Sequence, residues 1–104
     1  RVLGVKCPKL SLSMLEANKL VENRVQPLSL GWHAVYSLLS RDRKGLEEFG
    51  TLIDALPYSD ADMEKYYGHV CGFIYIASVW SPEQCNGYPW AKEPYCHIIT
   101  HFLS

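Results

Sequence analysis

The longest apolar run of the chain, Val70 to Val79, decides its fold class. It mixes β-branched Val and Ile with Phe and Tyr, a composition that favours strand over helix. A second run, Trp32 to Leu39, alternates without a clean polar face. Trp32, Ala34, Tyr36 and Leu38 lie on one side, and His33, Val35, Ser37 and Leu39 on the other. A strand that is apolar on both faces is a central one, covered on both sides. Three more strands are predicted: 2–6, 96–103, and one from Lys19 to about Gln26, where Pro27 ends it.

Helices supply the cover. Pro8 suits a first helical turn, and Leu10, Met14 and Ala17 recur at helical spacing with Leu15. Ser11, Ser13 and Glu16 lean outward, and Asn18 is a left-handed stop. After a polar loop at 40–45, Leu46, Phe49, Ile53 and Leu56 mark one stripe of a second helix, stopped by Pro57. Ser59 and Asp62 cap a short third helix that ends at Gly68. The stretch 81–94 holds three prolines and reads as a long loop of the kind that often carries function. With 104 residues the chain forms one domain, 1–104.

The charge pattern within this frame is concentrated in Lys19-Leu20-Val21-Glu22-Asn23-Arg24. On a strand, Glu22 and Arg24 point the same way, about 7 Å apart, while Val21, Asn23 and Val25 take the other face. Lys19 falls out of register and sits in the turn, where its long stem reaches the same cleft. Three charges at a sheet edge are expensive to desolvate unless they pair. Pairing also leaves donors for a phosphate or a base edge. On these residues alone, a structural ion pair locking helix to strand is the leading reading.

Composition excludes other classes. A net charge of −1 argues against a protein that coats nucleic acid through many phosphate contacts, but it leaves room for a pocket that takes one nucleotide. Seven Tyr and three Trp suit base stacking as well as packing. No apolar run reaches membrane-spanning length, so no membrane partner is expected. The cysteines are Cys7, Cys71, Cys85 and Cys96, an even number that permits disulfides. Two of them lie in apolar strands, where free Cys behaves as a small hydrophobe, so reduced thiols in an intracellular protein are expected. Cys85, Cys96, His97 and His101 lack the spacing of a structural zinc site, and neither metal nor cofactor is expected.

Lys-x-x-Glu-x-Arg after a short amphipathic helix resembles the signature of the ASCH domain (activating signal cointegrator homology), a branch of the PUA-like β-barrels. The family pattern is Gly-x-Lys-x-x-Glu-x-Arg. Here Ala17 replaces the glycine ahead of Lys19, Glu22 and Arg24. Gly31 to Ser37 looks like the family's second core strand, Gly68 to Ile76 like the third, and Pro94 to Ile99 like the closing one. The resemblance implies an α+β, PUA-like small β-barrel of about five or six strands with two or three helices. It also implies recognition of RNA or a nucleotide in a charged, aromatic-lined cleft. Lys19 and Arg24 would contact phosphate or a base carbonyl, and Glu22 would orient them or accept from a base amino group. One or more of Trp32, Tyr36 and Trp80 would stack on the base, and Ser37 would hydrogen-bond it.

Two other functions stay open. A hydrolase acting on RNA or a modified nucleoside, either ribonuclease or amidohydrolase, would use Lys19 with a carboxylate such as Glu22 or Glu83. The family's amidohydrolase branch carries a nucleophilic Thr where this chain has Glu22, which argues against that route. A protein-interaction domain would instead dock a partner through the loop around 80–95. Trp90 and Tyr95 would then be contact residues, although Trp90 also fits a loop anchor. His33 reads as a general base or a satisfied strand histidine. His97 and His101 share a face with Ile99 and read as surface residues.

Overall fold

The computed structural model describes residues 2–6, 11, 14, 19–38, 51–59, 61, 66–92 and 94–103. Five strands form one sheet: β1 (Val2–Lys6), β2 (Val21–Arg24), β3 (Gly31–Leu38), β4 (His69–Trp80) and β5 (Tyr95–Leu103). Their order across the sheet is β1-β3-β4-β5-β2, with β1 parallel to β3 and the other pairs antiparallel. The sheet curls into a half-barrel, giving a small sheet-rich α+β domain of barrel-like shape.

The curl has a local cause. The β3–β4 register shifts at Val35/Tyr36, leaving Cys71 unmatched. The β4–β5 register shifts on both sides of Ile76, leaving Thr100 and Ala77 unmatched. An extra residue on one strand bends it and increases the local twist, and here these irregularities fall in the middle of the sheet.

The concave side carries the core: Leu3 and Val5 of β1, Val35 of β3, Ile74 and Ile76 of β4, and Ile99 of β5. Met14, Ile53 and Trp90 complete it from outside the sheet. Met14 is helical, as the spacing of the first helix predicts, and so are residues 51–54. Ser11 is also helical, but it is buried rather than facing outward as expected. Most of the first stretch, residues 46–50 of the second, the 40–45 loop and most of the third helix lie outside the described residues.

β2 is shorter than expected. It stops at Arg24, opposite Tyr95, the first residue of β5. Residues 25–26 then have no strand to pair with and bend away, and Pro27 has no N–H to offer. Gly31 starts β3 with φ +108°, a conformation that L side chains rarely adopt. Within 81–94, Glu83–Cys85 form a single 3-10 turn.

Candidate functional site

The site grows from β2. Period-two alternation puts Glu22 and Arg24 on one face, and they meet: Arg24 Nε and Nη2 donate to Glu22 Oε2 at 3.0 and 2.7 Å. Lys19, just before the strand, turns its stem back and donates from Nζ to Glu22 Oε1 at 2.8 Å. Each carboxylate oxygen therefore serves a different cation. Lys19 is only 2% exposed, with its ammonium 5.9 Å from the centre of the Trp90 ring. Burial pushes the Glu22 carboxyl up, but the Lys19 and Arg24 charges and hydrogen bonds outweigh it and hold it below its ordinary 4.5.

Arg24 also reaches across the fold. β1 and β2 are the two edges of the sheet, yet Arg24 Nη2 donates to the Gly4 carbonyl of β1 at 2.7 Å. The curl thus brings the two free edges close enough for one guanidinium to bridge them. The charged cluster is the seam of the half-barrel. A buried charge that is paired and hydrogen-bonded is tolerated, and loss of one partner is strongly destabilising.

His97 is part of the same assembly. It faces inward with Ile99 and is buried, not on the surface as the sequence reading has it. The Leu28 N–H donates to Nε2 at 2.8 Å, so Nδ1 carries the proton and donates to the Glu22 carbonyl at 2.9 Å. Burial and the nearby Arg24 and His33 charges lower its pKa, outweighing the opposing pull of Glu22. The shared face with Ile99 was a legible sign of burial. His101 does not share that face, because Thr100 is unmatched between them and flips the phase. It lies with Trp32 and Tyr75 on the convex side, where ring centroids are 5.3 to 6.5 Å apart.

The other expected site residues divide. Trp32 and Tyr36 lie on the convex face of β3, with Trp32 46% exposed. Ser37 and His33 lie on the concave face and are buried. Ser37 Oγ has no hydrogen-bond partner among the described residues, and His33 Nε2 donates to the Ser29 carbonyl at 2.8 Å. Trp80 ends β4 and is exposed. The structure therefore joins Lys19, Glu22 and Arg24, and sets Trp32 and Tyr36 on the opposite side of their strand from Ser37.

The loop after β4 packs onto β2 rather than projecting from the fold. Trp90 is 5% exposed and is a loop anchor. Asn23 ties the loop down: Nδ2 donates to the Trp90 carbonyl at 2.8 Å, and Oδ1 accepts from the Lys92 N–H at 2.7 Å. Tyr88 Oη accepts from the Leu20 N–H at 3.0 Å. Sequence spacing marks neither the Asn23 nor the Tyr88 contact, because loop contacts have no periodicity to read. Among the described residues, no group of three or more His, Cys, Asp or Glu is placed to hold a metal, and no helix is long and apolar enough to cross a membrane.

No family model matches the chain, and no curated protein matches it in sequence.

Proposed function

We propose that this domain is PUA-like, of the ASCH type, and binds RNA, or a nucleotide within it, at the seam where β2 approaches β1. The observation that carries this reading is the unfinished bonding of Arg24. Nε and Nη2 are committed to Glu22 and Gly4, Nη1 has no partner among the described residues, and the side chain is 31% exposed. A guanidinium braced on two sides and open on the third can donate to a phosphate or a base carbonyl with little further ordering. Lys19 and Glu22 hold it in place. Trp80, exposed at the end of β4, is the ring offered for stacking, since Trp32 and Tyr36 lie on the convex face, away from the seam.

The test is fluorescence anisotropy of a short labelled single-stranded RNA at two salt concentrations, with wild type and Arg24→Gln. Wild-type binding is expected to weaken with salt, and the variant to lose about tenfold, equivalent to about 1.4 kcal/mol. Circular dichroism confirms that the variant is folded. Equal affinity in both proteins would remove the reading.

A purely architectural cluster is the competing reading. It is favoured by the burial of Lys19 and by the Arg24–Gly4 bridge between sheet edges. It predicts that Arg24→Gln lowers the melting temperature and leaves RNA association unchanged.

A further inference from the structure

Two histidine rings hold the connection between β2 and β3 to the sheet. Residues 25–30 make no backbone–backbone hydrogen bond with other described residues. Their hydrogen bonds among the described residues end instead on side chains. The Leu28 N–H donates to His97 Nε2 at 2.8 Å, and the Ser29 carbonyl accepts from His33 Nε2 at 2.8 Å. A proton acts differently on these two clasps. A backbone N–H can only donate, so His97 Nε2 must be bare, and its Nδ1–H goes to the Glu22 carbonyl at 2.9 Å. Imidazolium carries N–H on both nitrogens and accepts from neither. Protonated His97 therefore keeps its bond to β2 and loses its bond to Leu28. His33 is already the donor to Ser29, and a second proton at its Nδ1 leaves that bond standing.

The groups around His97 give its cation little support. Glu22 lies opposite it in the β2–β5 ladder, and Arg24 shares the Glu22 face. The Glu22 carboxylate favours the imidazolium, but Lys19 and Arg24 already neutralise it. Arg24 and His33 oppose the added charge, and burial opposes it most. The connection itself is free to move once released. Val25, Gln26, Pro27, Ser29 and Leu30 are exposed, and Leu28 alone is half-buried, against the core. At its far end Gly31 sits at φ +108° with no atom within 4 Å of a Cβ position, so the backbone there has room to turn.

We propose that the His97–Leu28 hydrogen bond is a pH-operated clasp, which opens when His97 takes up a proton and frees the 25–30 connection from the sheet while β2 stays in place. Above the ordinary histidine value of 6.5 the ring is neutral in both forms and the clasp is closed. Below it, the open ring binds a proton that the closed ring refuses. Opening is then favoured by up to about tenfold for each further pH unit, until the closed ring is itself protonated. Leu28 leaves the core as the clasp opens.

The test is amide hydrogen exchange followed by nitrogen-15 NMR between about pH 7.5 and about pH 5.5, across the range in which histidine titrates. Corrected for intrinsic exchange, protection of the Leu28 amide should fall by about tenfold over that range. The Ile74 and Ile76 amides, at the centre of the sheet, should keep theirs. His97→Gln, which offers an oxygen acceptor that does not titrate, should remove the pH dependence, and His33→Gln should retain it. The wild-type profile decides the matter even if a variant fails to fold. Leu28 protection that is independent of pH, or that falls together with Ile74 and Ile76, would overturn the proposal. So would a pH dependence that survives in His97→Gln.

Discussion

Glu22→Gln probes the seam with the least change in shape. The substitution keeps the side-chain outline but removes the carboxylate charge that faces both Lys19 and Arg24. Lys19 Nζ would then be a buried cation against a neutral amide. Loss of one partner from a buried pair costs about 3–5 kcal/mol. Against a total stability of about 5–15 kcal/mol for a domain, that is a large share. At about 4 °C per kcal/mol, the melting temperature should fall by at least about 12 °C. Urea denaturation of the wild type, Glu22→Gln, Lys19→Met and the double variant completes a mutant cycle. The double variant should be more stable than Glu22→Gln alone, because it no longer buries an unpaired ammonium. Acid titration adds a second signature. The folded Glu22 carboxyl titrates below 4.5, so between its folded value and about 4.5 the unfolded chain binds more protons and stability rises with pH. The stabilisation is complete above that window and is lost as pH falls through the folded value. Glu22→Gln should flatten the curve there. A Glu22→Gln protein within about 1 kcal/mol of wild type, with an unchanged acid limb, would refute the buried-pair argument.

Other substitutions separate the remaining roles. Trp90→Ala should destabilise the fold by about 3–5 kcal/mol because it empties a core position. Trp32→Ala, at an exposed ring, should cost about 1 kcal/mol or less; denaturant midpoints compare the two. Ser37→Ala removes a buried hydroxyl without a partner among the described residues, so it should be neutral or stabilising by about 1 kcal/mol in the same assay. The His97 pKa is lowered from 6.5 on folding, so the stability it adds is present above that value and declines as pH falls through the folded pKa. A nitrogen-15 NMR titration should find its Nδ1-protonated neutral form persisting below pH 6.5.

Much of the seam was legible from spacing alone. Alternation put Glu22 and Arg24 on one face, and the stem of Lys19 was long enough to reach them from the preceding turn. The same alternation separated Trp32 and Tyr36 from His33 and Ser37. What it could not show was the phase slips. Cys71, Ala77 and Thr100 are unmatched in the ladder, and no local residue pattern marks them. One of those slips put His101 with Trp32 and Tyr75 rather than with Ile99. Nor does alternation give strand order. β1 and β2 are separated by three strands along the sheet, and only its curl brings Gly4 within reach of Arg24. The burial of Trp90 depends on Asn23 holding the loop, a contact between residues 67 apart in sequence.

The nucleotide-reader account is tested most directly by following the Arg24 Nε–H resonance and the backbone amides of Gly4 and Glu22 while a short single-stranded RNA is added. Saturable shifts at these three positions that weaken with added salt are the predicted result. Shifts confined to the Trp32, Tyr75 and His101 face, or no shifts at all, would contradict it.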